Sequence, residues 1–521
     1  MTKVVPNNAL TSYWELWKFF KQLTSEEKQG SVIFPVTNAE GTSELTLNLS
    51  EWAHTFPETD ESGPKVSPTL SLARHVDFNG WTFRITGKLP DDAPEEPYLL
   101  YLAKSGSNLP QLFLSKEAID SGDFTHVPEL NTGTKLLFVK DLNRWTTRSG
   151  VNHYREDILL VKNGRAVNSV IAPYSTCTSY PQCTYIDAED ESTGGSTYEL
   201  KNLKVVRKST CQDLTNVLLV NNLNDVAISN VEVITEANSY LTENDKCFRI
   251  FNSTNVKITN VRIDKTYSGE SKSGYGFLVN NVWNLQLDGI IATSPVWGVF
   301  GNNFINCATL TNCSINRFDI HCYGKNVVAK DCIFQNNNSG SYHAMNRFSS
   351  IYGHIRFEGC TFNDFRPVRI DHDYNAFHGF DLFLKDCTMV LTKNSYNCIV
   401  EVGLLDEIIN PRLELRDKAL PNVIVEGELF VRVSEGVSNL KIFNLSADVE
   451  YPNGIAYMSL LTFPATKWLD ADGNALSDGA KSGLTLYGSN RAITLGQPLS
   501  TNLISQNGGV QVVRNISAPV T

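Results

Sequence analysis

The sequence has little charge and none of the long apolar runs that mark membrane proteins. Charged residues make up 19% of the 521 positions, against about 25% in an ordinary globular domain. Hydrophobic residues reach 41% and aromatic residues 10%, which excludes a disordered chain, because disorder requires few aromatic residues and dense charge. No apolar run reaches the roughly 18 residues of a membrane-spanning helix, so membrane insertion is not expected.

The chain also lacks an excess of basic residues. Its 45 Lys and Arg against 56 Asp and Glu give a net charge of −11. This balance argues against a nucleic-acid partner, because binding phosphates requires a basic surface. No phosphate-binding loop, dinucleotide fingerprint, nucleophile elbow or zinc-protease motif occurs in the sequence. We therefore expect no cofactor.

The cysteines lack the pattern of a metal site or a disulfide framework. There are 11 of them, an odd number, and no two are spaced as in a CxxC motif. A secreted disulfide framework favours an even number of cysteines in a much shorter chain. We predict free, buried thiols and synthesis in a reducing cytoplasm.

Asparagine, by contrast, is abundant, and it accompanies a repeat. Between residues 201 and 340, 23 of 140 positions are Asn. One phrase recurs every 20 to 30 residues, as in VAISNVEV, VKITNVRI, ATLTNCSI and IRFEGCTF. Aligned on its sixth residue, the phrase gives an apolar column, preceded by Leu203 one repeat earlier: Val231, Val261, Ile290, Cys313, Cys332, Cys360, Cys387 and Leu445.

Residues that tolerate a left-handed backbone lie immediately before this apolar column and again six positions before it. The first turn column is Asn230, Asn260, Gly289, Asn312, Asp331, Gly359, Asp386 and Asn444. The second is Asp225, Asn255, Asn284, Asn326, His354, Asp381 and Asn439, with Cys307 at the position in the Cys313 repeat. Short alternating strands between such turns predict a right-handed parallel β-helix, in which coils stack about 4.8 Å apart. The spacing fits neither a leucine-rich repeat nor a propeller.

The opening of the sequence carries a resemblance to a known family. A helix-prone segment, TSYWELWKFFKQL, with Ser12 and Glu15 at capping-box spacing, precedes GSVIFP, LTLNL and VDFNGWTFRI. This order resembles the start of phage tailspikes and related polysaccharide depolymerases of the pectate-lyase-like β-helix superfamily. The resemblance implies a helix that caps the solenoid, a homotrimer, and a bacterial surface polysaccharide as partner.

The resemblance also implies a location. A tailspike belongs to the tail of the virion and is synthesised in the cytoplasm of the host. No virion-attachment domain precedes the helix, so we expect that a baseplate or adaptor protein supplies it or that it is missing from this sequence. The alternative is an extracellular bacterial enzyme whose signal peptide is absent from this sequence.

Four regions follow from these patterns. Residues 1–35 form the cap helix and first strand, and residues 36–200 an irregular part of the β-helix with polar loops. Within it, LLVKNGRAV predicts a hairpin that turns at Asn163 and Gly164. Residues 201–450 form the regular coils, and residues 451–521 a small C-terminal β region for closure or trimerisation.

The richest candidate site is the stretch RFDIHCYG. Phe318, Ile320 and Cys322 alternate with polar residues, so a strand here directs the polar set to its outer face: Arg317, Asp319, His321 and Tyr323. The alternative interpretation is a solvated strand face with local ion pairing. Further residues extend this face: Arg347, Tyr352, Arg369, Asp371 and Asp373. Trp297 either lines a sugar subsite or packs in the core or at an edge.

Three functions remain open for this face. In glycoside hydrolysis, Asp319 with Asp371 or Asp373 supplies acid and base, because two rungs separate them by about 9.6 Å, which suits inversion. In a lyase, His321 or Tyr323 is the base, and Arg317 or Arg347 neutralises a uronate carboxylate. The third possibility is a carbohydrate-binding spike without catalysis. We favour hydrolysis and expect no metal at the site.

Overall fold

The computed structural model describes most of the chain, in segments separated by gaps of up to 17 residues. The described residues are 1–51, 69–88, 98–104, 109–148, 151–177, 179–188, 197–211, 216–236, 246–265, 275–292, 300–335, 345–363, 366–371, 380–392, 397–403, 420–445, 456–458, 461–462, 466–489, 493–495, 511–513 and 516–517.

The described strands form a parallel β-helix, as the sequence predicts. Each coil contributes strands to three stacked sheets, which we call the first, second and third ladders. In the coil of Lys246–Lys265, the ladders contain Phe248–Phe251, Val256–Thr259 and Val261–Lys265, respectively. Every pairing between these coils is parallel and keeps its register over neighbouring coils. The apolar residues of the three ladders enclose one continuous core.

The strands of the β-helix have the following bounds: Thr2–Val4, Ser31–Ile33, Glu44–Asn48, Leu70–Ser71, His75–Thr86, Tyr98–Ala103, Tyr198–Arg207, Asn216–Asn221, Asn224–Thr235, Lys246–Lys265, Phe277–Asp288, Ile291–Ala292, Phe300–Thr311, Ser314–Ile315, Phe318–Lys330, Ile333–Gln335, Met345–Glu358, Thr361–Asn363, Arg366–Asp371, Asp381–Leu391, Cys398–Gly403, Asn422–Val433, Asn439–Leu445, Leu461–Thr462, Thr466–Leu469, Thr485–Ser489 and Gln511–Val513. The strands Ala456–Met458, Ile493–Leu495 and Ile516–Ser517 form a separate parallel sheet.

The left-handed turns occur where the two turn columns predict them in the regular coils. Asn230, Asn260 and Asp386 have φ values of 53°, 51° and 52°. Side-chain amides connect neighbouring coils along the column, since Asn230 Nδ2 donates to Asn202 Oδ1 at 3.0 Å and Asn260 Nδ2 donates to Asn230 Oδ1 at 3.3 Å. Asparagine therefore serves twice, by tolerating the left-handed backbone and by bonding to the next coil.

The second turn column is wrong at its later members. Gly353, with φ 77°, takes the left-handed position that we assigned to His354. Asp381 and Asn439 of this column are not left-handed, and neither is Asn444 of the first column. At Gly353 the reason is a β-bulge, because Lys325 pairs with Tyr352 whereas Val327 pairs with Ile355. Asn439 and Asn444 lie within the first ladder, where they pair with Thr485 and Glu401.

The cysteine column forms the predicted buried ladder. Cys313, Cys332, Cys360 and Cys387 are each at most 1% exposed, and all are free thiols. Cys360 Sγ approaches the carbonyl oxygen of Ala329 in the coil before it at 3.4 Å. Leu445 does not continue the column, because Cys387 pairs with Leu429 and Leu445 pairs with Val402 in the first ladder.

Because of its buried thiols, the fold is expected to lose stability as the pH becomes alkaline. Burial raises the pKa of the Cys183 thiol to about 12 and that of Cys398 to about 11, whereas an unfolded thiol titrates near 8.5. Their stabilising contribution is therefore complete below about pH 8.5 and is lost as pH rises towards 11 and 12. We expect the free energy of unfolding, measured by denaturant titration, to fall from about pH 8 to pH 10. The Cys183→Ala/Cys398→Ala variant should show a shallower fall, and an equal slope would contradict this account.

The predicted cap helix spans Tyr13–Gln22. Ser12 is its N-cap, and the Ser12 hydroxyl accepts from the backbone N–H of Glu15 at 3.2 Å. The helix buries Tyr13, Leu16, Trp17, Phe19 and Phe20 against the first coils, so it shields the open end of the core from water. A second short helix, Ser25–Lys28, carries a complete capping box between Thr24 and Glu27.

An antiparallel sheet is formed by residues that follow Tyr98–Ala103 and precede Asn216–Asn221 in the sequence, two strands that pair directly with each other in the first ladder. It contains the predicted hairpin at Asn163 and Gly164, whose φ values are 47° and 79°. One face packs on the helix Lys116–Ser121 in a core of its own. We call this unit the inserted sheet; its strands are Gln111–Leu112, Thr134–Arg148, Val151–Lys162, Arg165–Ala166 and Gln182–Asp187.

Beyond residue 450, described strands still extend the ladders of the β-helix. Thr466–Leu469 pairs in parallel with residues 429–432, and Thr485–Ser489 pairs with Asn439–Phe443. The architecture therefore continues where the sequence repeat ends. A short helix, Asp478–Lys481, lies between these two strands. None of the helices in the described ranges is long and apolar enough to cross a bilayer.

Candidate functional site

The first ladder has a strongly apolar inner face. Phe248, Phe277 and Phe300 stack on consecutive coils, with ring centroids 4.7 and 4.4 Å apart, and Phe318 follows at 5.5 Å. This stack holds the strands of the ladder at one register. The alternate positions therefore project from the outer face of the ladder in rows that run along the β-helix axis.

One of these outer rows carries charge on four consecutive rungs. Ile320 pairs with Phe348, so Asp319 lies at the register position of Arg347 on the next rung. Arg347 pairs with Arg369, and Arg369 pairs with Glu401. We call Asp319, Arg347, Arg369 and Glu401 the charged column. Its backbone positions span three rung spacings, about 14 Å, and its formal charges sum to zero.

Asp319 and Arg317 are not exposed at the surface as we predicted. Both side chains are 0% exposed, and Arg317 Nε lies 2.8 Å from Asp319 Oδ2 in a buried ion pair. The alternation is the predicted one, since Phe318 and Ile320 lie in the core. Alternation, however, shows only to which side of a strand a residue points, and here the outer side is covered. Asp319 therefore acts first as a structural partner of Arg317.

Glu401 is the carboxylate that sequence reasoning missed. Its Oε2 forms a short contact with Arg366 Nη1, and its Oε1 lies 3.6 Å from Arg369 Nη1. All three residues are less than a tenth exposed. Two guanidinium groups at this range favour the ionised carboxylate. A signal was present, because Glu401 lies between Val400 and Val402 on a strand and therefore opposite to the core.

Asp371 ends the strand that contains Arg369 of the charged column, and its side chain lies outside the described part of the structure. It is two residues beyond Arg369 and pairs with Gly403. Two rungs and two residues separate its backbone from Asp319 by about 12 Å, so the predicted spacing of about 9.6 Å at equal register is wrong. One rung and two residues separate it from Glu401, about 8 Å between backbone positions.

The structure describes some of the remaining candidate residues only in part and others not at all. His321, Tyr323 and Arg347 lie in strands, but their side chains lie outside the described part of the structure, as do Trp297 and Asp373 altogether. Tyr352 is half-buried and pairs with Lys325, away from the charged column. His354, beside Gly353, has its pKa lowered, mainly by burial and then by Arg356. No group of three metal-binding side chains occurs among the described residues.

Comparisons with known proteins add two similar structures. No family model and no curated protein matches the sequence. The chain is similar to the tailspike protein gp49 from Pseudomonas phage LKA1, with a TM-score of 0.47 and 13% identity over 84% of this chain and 72% of that one. It is also similar to the gp54 tailspike of Acinetobacter baumannii bacteriophage AP22, solved with A. baumannii capsular saccharide, with a TM-score of 0.45 and 10% identity over 98% and 79%. At such low identity these likenesses do not show which residues act.

Proposed function

We propose that the chain binds an extended bacterial surface polysaccharide along the first ladder and cleaves it there by glycoside hydrolysis. The observation that carries the proposal is the charged column, four charged residues in register on consecutive rungs of a ladder whose other face is apolar. The row runs along the β-helix axis, so a polymer bound along it would reach several rungs, and Arg369 and Glu401, 6% and 8% exposed, are the described members of the column with some accessible surface for it. Guanidinium and carboxylate groups offer the directed hydrogen bonds that sugar hydroxyls and uronate carboxylates require.

In this proposal the acid and base are Asp371 and Glu401, and Asp319 is a positioning residue. Inverting hydrolases hold two carboxyl groups about 6.5–9.5 Å apart, and the backbone spacing of about 8 Å supports this pair. Glu401, held ionised by Arg366 and Arg369, is suited to act as the base that activates water. Asp371 is then the acid that protonates the leaving oxygen. His321 and Asp373 are the further candidates that the sequence predicts.

One observation favours a lyase as the second candidate. Arg347 and Arg369 are paired on adjacent rungs, and two neighbouring guanidinium groups suit the neutralisation of a uronate carboxylate. The base would then be His321 or Tyr323. In the third candidate function, a carbohydrate-binding spike without catalysis, the charged column would bind the polymer and nothing would be cleaved.

The proposal includes the setting that the sequence resemblance implies. The chain would assemble as a homotrimer and attach through a baseplate or adaptor protein to a phage tail, after synthesis in the host cytoplasm. Analytical ultracentrifugation of the purified protein measures its oligomeric state directly.

Incubation with a panel of neutral and uronate-containing capsular polysaccharides and exopolysaccharides tests the function. We expect one polymer to be shortened, with products that mass spectrometry shows to have gained one water per cleavage. Products that absorb in the near ultraviolet and have gained no water would establish the lyase instead. A polymer that binds without any shortening would leave only the binding function.

A further inference from the structure

A cavity of about 460 Å³ lies between the inserted sheet and the β-helix. Its volume is in the range of small-molecule sites. One wall consists of the strands Thr134–Arg148, Val151–Lys162 and Gln182–Asp187 of the inserted sheet, and the other is the corner between the first and second ladders. We call this cavity the groove. It is separate from the charged column, because no residue of that column lines it.

Apolar packing and hydrogen bonds fix the two walls relative to each other. Leu136, Ile158 and Leu160 of the inserted sheet form a cluster against which Trp283 of the β-helix packs. Lys325 Nζ donates to Ser169 Oγ at 2.9 Å and to the carbonyl of Val170 at 3.1 Å. The groove is therefore preformed, and a ligand loses little binding free energy to ordering of the protein.

The wall formed by the β-helix is a ladder of amides with a defined direction. Asn281 Nδ2 donates to Asn252 Oδ1 at 3.0 Å, and Asn252 Nδ2 donates to Asn221 Oδ1 at 3.4 Å. Asn222 Nδ2 donates to the carbonyl of Lys104 at 3.1 Å. Asn222, Asn252 and Asn281 thus each donate to the coil before, and the Oδ1 atoms of Asn221 and Asn252 accept from the coil after.

The ladder ends at Asn281. The register places Phe304 at the corresponding position of the next coil, where no side-chain amide is available. Asn281 is only 3% exposed, and its Oδ1 has no hydrogen-bond partner within the described residues. A buried carbonyl oxygen without a donor is unfavourable. Asn281 is also a lining residue of the groove, so this unsatisfied acceptor lies within the wall of the groove, at the end of the amide ladder.

The remaining polar lining is rich in hydrogen-bonding groups and electrically balanced. Lys140 Nζ and Glu156 Oε1 form an ion pair at 2.8 Å, and Asn280 Nδ2 donates to the other oxygen of Glu156 at 3.5 Å. Gln182 and Thr184 line the opposite side, and Phe138 offers an apolar surface. Among the described residues, Lys140 and Glu156 are the charged members of the lining. An anion or a metal ion would need charge of one sign in excess.

We propose that the groove binds a neutral sugar unit whose hydroxyl group donates to Asn281 Oδ1. The amides and the ion pair then bond to neighbouring hydroxyls, and Phe138 contacts the apolar face of the ring. The proposal rests on the proposed function for the source of the sugar, which is a unit of the same polymer outside the charged column. A second point of attachment on the same chain raises the effective concentration of the polymer at the column.

Saturation-transfer difference NMR tests the groove with D-glucose, D-galactose, D-mannose and N-acetyl-D-glucosamine as probes, and with D-glucuronate for contrast. We expect at least one neutral sugar to bind, and D-glucuronate to bind more weakly than D-glucose. Asn281→Gly should raise the Kd of the bound sugar about tenfold, the effect of losing one hydrogen bond. Gly accepts the φ of 54° that Asn281 has, so the backbone is not strained.

Asn284→Gly is the matched control, because it makes the same change three residues away at φ 59° and removes a bond to Asn255 outside the groove. We expect its Kd to stay within about twofold of the parent value. Should Asn281→Gly fail to fold, Gln182→Ala on the other wall serves instead and should weaken binding several-fold. The proposal is overturned if no neutral sugar binds, or if Asn284→Gly weakens binding as much as the groove variants do.

Failure of the groove and failure of the proposed cleavage give different results. Sugar binding is also measured in the Asp371→Asn protein, where the proposed cleavage is removed. Binding there without cleavage of any polymer by the parent protein would support the groove and contradict the hydrolase. Cleavage by the parent protein without binding of any neutral sugar would contradict the groove alone.

Discussion

Replacing Asp371 by Asn should lower the rate of polymer cleavage by about 10²–10⁴-fold, the contribution of one general acid or base. The expectation follows from register, because the backbone of Asp371 lies one rung and two residues from that of Glu401, a spacing that suits the carboxyl pair of an inverting hydrolase. Asn keeps the size of the side chain but cannot deliver a proton to a leaving oxygen. Product release from the cleaved polymer, measured as reducing ends, gives the rate.

The control for Asp371→Asn is Asp264→Asn on the third ladder, where Asp264 pairs with Arg262 at 3.3 Å on another face of the β-helix. It should cleave at the parent rate. Asp371→Asn should also bind the uncleaved polymer with the parent Kd, because the variant loses a proton donor and not the binding surface. Cleavage at the parent rate by the Asp371→Asn protein would show that Asp371 is not the catalytic acid.

Replacing Asp319 by Ala should lower the free energy of unfolding by about 3–5 kcal/mol, the effect of breaking a buried ion pair on one side. Arg317 would remain fully buried beside an apolar methyl group and would lose the carboxylate that lies 2.8 Å from its Nε. Denaturation in guanidinium chloride, followed by far-ultraviolet circular dichroism, measures the change. The reason lies in the structure, since both partners are 0% exposed and their atoms lie 2.8 Å apart.

A second variant separates this structural role from a catalytic one. Arg317→Met/Asp319→Leu replaces both charges by apolar groups and should recover most of the lost stability. Removing the exposed partner of Arg262, in Asp264→Ala, should cost at most about 1 kcal/mol, because water screens that pair. If the Asp319→Ala protein were as stable as the parent but inactive, Asp319 would be a catalytic residue and its structural role would be contradicted.

The fold was predictable because its turns impose a rare conformation. Asn230, Asn260 and Asn312 are left-handed, and few residue types tolerate that backbone. Their recurrence at a fixed distance before a buried residue therefore identifies each successive coil of the β-helix. The prediction became wrong at Leu445, which has the same local pattern but lies in the first ladder, because a local phrase does not show which of the three ladders contains it.

The site was predictable only in part. Alternation correctly placed Phe318 and Ile320 inside and Asp319 on the outer side. It did not show that the outer side is covered at Asp319, nor that Glu401 would meet Arg366 and Arg369. Those contacts join residues that are more than 30 positions apart in the sequence. The loops between these coils differ in length, and the register across them is set by packing.

The sequence by itself determined the parallel β-helix, its cap helix and the column of free buried cysteines from Cys313 to Cys387. Each depends on local chemistry, namely left-handed turns, period-two alternation and an N-cap at Ser12, which neighbouring residues settle among themselves. Only the tertiary structure decided the offset of Asp371 from Asp319, the burial of Arg317 and the groove beneath the inserted sheet. These features depend on which distant segments cover a given strand face. Because the chain has few charged residues, its sequence offers few complementary charges from which such contacts could be predicted.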